Sequence, residues 1–489
     1  MRTKFPRPGA ARLGRCVGLL LAIGLVSQTL IAQSAGPSTP PACDLSRPVD
    51  QRLGLPAKQA ISPGRAPNIV LLAIDTLRAD HLGTYRHHRA TSPNIDQLAA
   101  ESWVYERAIS AAPWTTPSFA GLMTGRAPGE LGIAAEPATI PASVPTLAEE
   151  LARRGYANAG IISHFIIGEK FGFHRGFHFW DESQVSGHDT ISTDGVTALA
   201  EACLETLAAQ DRPFFLFAHF FDPHYDYLAH ADFPYYEGYE GTLRSQGDNF
   251  SRLRAMAKRG LLDDADFKYL RDLYDSEIAF TDAGIGRVLA ALRRHGLYDE
   301  TLIVVLADHG EMFGERRGRW IGHTKFLFEE LIRVPLLIKL PRPPEAAARA
   351  GRIKTTVSLL DVLPTLLEVI EPGRHRQRSL LPHDDGRLPR RQVFSQTRRW
   401  RSLDALYEGR WKLMVDRESG RSLLYDLVKD PKETHNVFRL HPHRFERMKQ
   451  QLDLWSKAIE LKAAEHTDGR VPKLSSEEIE AMRSLGYIQ

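Results

Sequence analysis

Three short segments of this chain carry residue types that can do chemistry together. Thr115 lies in Ala111-Ala112-Pro113-Trp114-Thr115-Thr116-Pro117-Ser118, which reads as a helix start. Thr116 suits an N-cap and Pro117 the first helical position, where a missing N–H is no loss. A hydroxyl there stands beside unpaired amide N–H groups and the positive end of a helix dipole, which stabilise an alkoxide or a bound anion. Asp75 closes the apolar run 68–75, and Asp308-His309 closes a second run that starts at Thr301 and stops before Gly310. Two carboxylates, an imidazole and the Thr115 hydroxyl suit one divalent ion. Mixed oxygen and nitrogen donors favour Mn, Mg or Zn, with Ca the less suited alternative. His224 and His323 add imidazoles able to protonate a leaving alkoxide near neutral pH.

These groups converge only if the right elements hold them. Continuous apolar runs such as 68–75 and 301–307 read as strands buried on both faces of a parallel sheet. In open α/β sheets ligands sit beyond the carboxyl ends of the strands, where Asp75 and Asp308 fall. Further runs at 157–164, 214–221 and 334–340 alternate with helical periodicity at 144–154, 193–210 and 275–295. That alternation predicts an α/β fold with a mostly parallel central sheet flanked by helices. Residues 234–274 are too long for an ordinary βα connection and are expected to cover the site. After about residue 373 the pattern changes: 411–415 and 422–427, around Glu418-Ser419-Gly420, read as a hairpin, and 445–464 as a helix. The expected organisation is therefore a catalytic domain at 67–373 and a C-terminal subdomain, a small antiparallel sheet with a helix, at 374–489. The arginines between 374 and 401 are expected in a solvated loop.

With 489 residues, 43% hydrophobic and 25% charged, the chain is globular. A net charge of +3 gives no basic surface for nucleic acid. Three cysteines, Cys16, Cys43 and Cys203, cannot form a disulfide framework, and no zinc spacing occurs. Arg2, Lys4, Arg7, Arg12 and Arg15 precede an apolar run at 17–32, the layout of a secretory signal peptide over 1–35, followed by a Pro-, Gly- and Ser-rich linker at 36–66. The chain is expected to be exported, to periplasm or beyond. Membrane contact would come only through this N-terminal segment, were it left uncleaved as an anchor.

The elbow also resembles the sulfatase signature: Thr115-Thr116-Pro117-Ser118-Phe119 and Leu122-Met123-Thr124-Gly125-Arg126 fall in register with it. So do Asp75-Thr76-Leu77-Arg78-Ala79-Asp80, Gly155-Tyr156, His219-Phe220-Phe221-Asp222-Pro223-His224, Asp308-His309-Gly310-Glu311, Gly322-His323 and Arg333-Val334-Pro335, in family order. Tyr425-Asp426-Leu427, Asp430-Pro431, Glu433-Thr434 and Asn436-Val437 match the family's closing hairpin region. The resemblance, to the sulfatases of the alkaline phosphatase superfamily, implies an alkaline-phosphatase-like fold. It also implies that Asp75, Asp308 and His309 bind the metal, that Thr115 bridges metal and substrate, and that His224 and His323 surround the ester oxygen and leaving group. Lys325 is a further catalytic candidate by its proximity to His323. Thr115 stands where the family carries Cys or Ser matured to formylglycine, and Phe119 where it carries an Arg. Thr76, His309 and Ser163 also depart from the common pattern and resemble the threonine-using phosphoesterase and phosphotransferase relatives. The resemblance thus implies an ester hydrolase acting on phosphate, phosphonate or sulfate esters, either small molecules or glycan- or lipid-linked. The rival readings are a sulfuric ester hydrolase without formylglycine and a catalytically inactive envelope binding protein.

Overall fold

The structure, a computed structural model, describes residues 42–47, 66–185, 190–245, 250–342, 349–382, 387–466, 472–476 and 479. The N-terminal segment read as a signal peptide and most of the linker lie outside the described residues. Eight strands form the main sheet: β1 (Asn68–Ile74), β2 (Trp103–Tyr105), β3 (Ala157–Ile161), β4 (Phe179–Asp181), β5 (Phe214–Phe220), β6 (Thr301–Ala307), β7 (Leu336–Lys339) and β8 (Gly351–Ile353). Their order is β8-β2-β7-β6-β1-β5-β3-β4. β6, β1, β5, β3 and β4 pair in parallel, and β7 alone runs antiparallel to both its neighbours. β5 and β6 are buried at every position and β1 at all but its first, as their mostly apolar sequences require.

Among the helices are α1 (Thr115–Thr124), α2 (Thr193–Ala208), α3 (Phe250–Lys258), α4 (Asp264–Arg294) and α5 (Pro442–Ala463). α1 begins earlier than the Ser/Thr-Pro pattern predicts. Its N-cap is Trp114, so Thr116 is already inside the first turn and donates its hydroxyl to Ile166 O at 3.1 Å. Pro117 is then the third helical residue, whose N–H would also lack an intrahelical acceptor, so the shift costs no hydrogen bond. α4 likewise starts at Asp264 instead of 275, because Asp263 and Asp266 cap each other's backbone N–H at 2.9 Å. Pro335 divides the expected 334–340 strand: Arg333–Val334 pairs with Ala108–Ile109, and β7 continues in the main sheet.

The small sheet is a four-stranded antiparallel meander, β9 (Gln392–Thr397), β10 (Leu403–Glu408), β11 (Trp411–Asp416) and β12 (Ser422–Asp426). The hairpin read from sequence is β11–β12. A buried ionic cluster ties this sheet to the segment before β7. The Lys412 amine, fully buried, lies 2.6 Å from Glu433 and 3.2 Å from Glu329, which also accepts from Tyr407 and Arg107. β9 reaches back over the elbow: Gln396 N donates to Ala111 O at 2.9 Å and the Thr397 hydroxyl to Thr324 O at 3.2 Å. The arginines that follow are therefore not all solvated. Arg398 pairs with Asp404 at 2.7 Å, and Arg399 is 3% exposed.

Cys43 and Cys203, which the sequence left without a role, are joined by a disulfide, with their Cα atoms 5.0 Å apart. Two thiols suffice once α2 is folded against the 42–47 segment. The bridge closes a separation of 160 residues. Cys203→Ser is expected to lower stability by about 2–5 kcal/mol, read as a fall in the urea midpoint that reducing agent reproduces in the wild type and not in the variant. Among the described residues no helix is long and apolar enough to cross a membrane.

Candidate active site

The carboxyl ends of the neighbouring strands β1 and β6 place Asp75 and Asp308-His309 side by side. Ligand atoms of the three residues lie within 4.8 Å of one another, and all are buried. Thr76, the residue after Asp75, is held at a φ of 53°, a strained conformation that clusters at functional sites. Its carbonyl accepts from the Tyr274 hydroxyl of α4 at 2.7 Å, and its N–H points to Asp308 Oδ1 at 3.4 Å. Asp308 is fixed from the other side: Ser118 of α1 donates its hydroxyl to Asp308 O at 2.7 Å, which bolts the elbow to the end of β6. That contact brings the Thr115 hydroxyl to 3.2 Å from His309 Nε2.

The donor set fits a cation. Both Asp75 oxygens and Asp308 Oδ2 are buried without a hydrogen bond. Burial first, and then the Glu311 charge for Asp75 and the Asp75 charge for Asp308, push both carboxyls well above their usual range. Such carboxyls are stable together in the ionised form only beside positive charge. His309 Nδ1 is 3.0 Å from Gly310 O, which sets the tautomer with Nδ1 protonated and turns the Nε2 lone pair toward Asp75 and Asp308, 3.6 and 3.3 Å away. Burial drives the His309 pKa well below normal, keeping it neutral as a ligand must be.

His224 and His323 are brought to the same place. Their ring centroids are 4.9 Å apart, and His323 stands 4.5 Å from His309. His323 Nδ1 faces Glu311 Oε2 at 3.3 Å, and His224 Nδ1 faces Tyr225 O at 2.9 Å. The His323 pKa is driven down to about 3 by burial and then by the charges of Arg254 and Arg399. The expected cover is also in place: α3 belongs to the 234–274 insertion, and its Phe250 stacks on Tyr225 at 3.6 Å, which stacks on His323 at 5.2 Å. Gly322 makes this approach feasible, since at its φ of +100° a Cβ would meet the Phe250 ring at 2.4 Å. Lys325 lies farther along this wall, its amine 4.4 Å from the Trp320 ring centre.

Sequence reasoning missed three groups. His219 of β5 puts Nε2 3.4 Å from Asp75 Oδ2, and the signal for it was a lone polar residue inside an all-apolar strand. Glu311 supports His323. Arg399 lies 4.8 Å from the ring centre of Trp114, the residue before Thr115, and no local pattern pointed to it. A cavity of 1280 Å³ elsewhere includes none of Asp75, Thr115, Asp308 or His309 in its walls. His81, His87 and Asp275 cluster along that cavity, but Arg89 donates to Asp275 at 2.7 Å and already balances its charge.

Residues 67–371 match the family described as Sulfatase. The chain belongs to the sulfatase family. A choline-sulfatase of Rhizobium meliloti is 27% identical over 437 residues, covering 76% of this chain and 82% of the relative. Human arylsulfatase A is 27% identical over 460 residues, covering 79% and 85%. Among solved structures, the phosphonate monoester hydrolase of Agrobacterium radiobacter superposes with a TM-score of 0.58 at 22% identity, over 84% of this chain and all of that one. The sulfatase-family membership makes this protein a hydrolase of ester bonds and implies a metal ion. Asp75, Asp308 and His309 form a group that could hold such an ion.

Proposed function

We propose that this protein is an exported, metal-dependent esterase in which Thr115 is the nucleophile, and that phosphate and phosphonate esters are cleaved better than sulfate esters. The carrying observation is the buried Thr115 hydroxyl in the first turn of α1, 3.2 Å from His309 Nε2 and beside Asp75 and Asp308, of which both Asp75 oxygens and Asp308 Oδ2 are buried without a hydrogen bond. Asp75, Asp308, His309 and Thr115 would hold the ion, which when bound lowers the cost of ionising a hydroxyl and draws charge from the ester.

The chain's own groups supply the rest. The first-turn amides of α1 face developing negative charge at Thr115 Oγ. Attack by Oγ on phosphorus forms a phosphothreonine and breaks the bond to the leaving alcohol, and water then hydrolyses the phosphothreonine. His323 protonates the leaving oxygen, with His224 beside it. Burial holds His323 neutral in the free protein, and a bound phosphoryl dianion brings the negative charge that favours its protonated form. A hydrated formylglycine expels sulfate by collapsing to the aldehyde. A threonine ester has no such exit, and this difference biases the substrate away from sulfate.

Export is supported by the basic and apolar N-terminal pattern and by the Cys43–Cys203 disulfide, a bond that persists in oxidising compartments. The nucleophile is tested by acid-quenching metal-loaded protein during turnover of an aryl phosphate. The expected result is a peptide spanning Thr115 heavier by one phosphoryl group. Turnover with no such peptide under single-turnover sampling speaks against a covalent threonine ester.

A further inference from the structure

We propose that Arg254 and the aromatic rings around it form a subsite for a second anionic group, carried on the leaving alcohol, so that the preferred substrate is an ester of an acidic alcohol. The inference rests on the ester-cleaving reading above and adds the class of leaving group.

Arg254 projects from α3 with its guanidinium carbon 4.3 Å from the Trp320 ring centre, 5.3 Å from Phe250 and 5.4 Å from Trp400. No carboxylate pairs with it or with Lys325 among the described residues. Lys325 occupies the same indole, 4.4 Å from the Trp320 centre. Burial and the neighbouring charges of Arg401, Arg254 and Lys258 lower the Lys325 pKa, which marks a local excess of positive charge. A half-buried guanidinium among three rings gains cation–π attraction and feels the Glu311 charge, but like charges beside it and the lack of an ion-paired carboxylate among the described residues leave it able to take a further anion.

Its position ties the cluster to the chemistry. Phe250 is the outer ring of the stack that runs through Tyr225 to His323, and the charge of Arg254 is felt at His323. Trp400 comes from the segment after β9, next to Arg399, which lies over Trp114. Trp400 is held at a φ of 63° and is 37% exposed, a strained backbone presenting a large ring to solvent. The insertion helix and the C-terminal segment thus meet around Arg254, beside the histidine proposed to serve the leaving group.

The test separates binding from turnover. Metal-loaded protein is titrated calorimetrically with phenylphosphonate and with 3-carboxyphenylphosphonate, which differ only in the second anion. The carboxylated ligand is expected to bind about tenfold tighter, the scale of one hydrogen bond to a charged group. The preference should shrink as salt is raised, fall to about one in Arg254→Ala, and be partly restored in Arg254→Lys. Equal affinity for the two ligands, a preference that survives Arg254→Ala, or binding of neither ligand overturns the proposal. Phenyl phosphate hydrolysis, measured separately, reports on the ester-cleaving reading alone. Methyl hexuronide 3-phosphate and glycerol 1,3-bisphosphate, compared as substrates, distinguish an acidic saccharide from an anionic lipid headgroup as the source of the second charge.

Discussion

Thr115→Ala is expected to lower kcat/KM for an aryl phosphate by at least about a thousandfold, whereas Thr115→Ser keeps readily measurable turnover. Removing a covalent nucleophile commonly costs several orders of magnitude, and what survives comes from binding and electrostatic stabilisation alone. Serine puts its oxygen at the same place and loses only a methyl group. The alanine variant should remain folded, because the helix start does not depend on this hydroxyl: the N-cap is Trp114, and α1 is anchored by the Ser118 hydroxyl on Asp308 O. An unchanged urea midpoint beside lost activity would therefore separate chemistry from stability. Equal activity in wild type and Thr115→Ala would remove Thr115 from the mechanism.

Asp308→Asn is expected to have the second largest effect, and it should act in opposite directions on activity and on the stability of the metal-free protein. Asp75 and Asp308 are buried neighbouring carboxyls that each disfavour the other's ionised form, and both Asp75 oxygens and Asp308 Oδ2 lack donors. Neutralising one relieves that repulsion, so the chelator-treated variant should melt above the chelator-treated wild type. Metal, in contrast, should stabilise the wild type strongly, by about 2.7 kcal/mol at a hundredfold excess over Kd, and the variant hardly at all. Activity of the variant should fall more than about a hundredfold, since even losses outside the ligand set weaken metal sites by 10–100-fold. Differential scanning calorimetry with and without Mn, Mg or Zn, alongside metal analysis, checks both signs. Full metal occupancy and full activity in Asp308→Asn would contradict the ligand assignment.

The parts of the molecule legible in sequence were those written in local patterns. The unbroken apolar runs of β1 and β6 announced strands buried on both faces, and a polar residue ending each run marked the ligand-bearing edge. The β11–β12 hairpin was legible because its turn residues separate two strand-like runs. Short strands were not: Trp103–Tyr105, Phe179–Asp181 and Gly351–Ile353 have three residues each, too few to show a period; the first two pair with longer neighbours and Gly351–Ile353 adds to Trp103–Tyr105 at the sheet edge. The helix start at Thr115 was misplaced because the Thr116 hydroxyl found a tertiary acceptor in Ile166 O instead of capping its own helix. Cys43–Cys203, His219 near Asp75, and Arg399 over Trp114 depend on contacts between residues far apart in the chain, which no local window contains. At the site itself, sequence supplied the cluster of Asp75, Asp308 and His309 and the elbow, while the wall of Phe250, Tyr225 and Arg254 came only with the fold.

The most direct measurement is kcat/KM of the metal-loaded protein for matched 4-nitrophenyl phosphate, phenylphosphonate and sulfate esters, each with Thr115→Ala as control. The threonine-ester mechanism predicts that the phosphate or phosphonate ester is preferred over the sulfate by at least about tenfold, a difference of ~1.4 kcal/mol in barrier, and that the variant loses all three activities. A preference for the sulfate ester, or activity unchanged in Thr115→Ala, would contradict it.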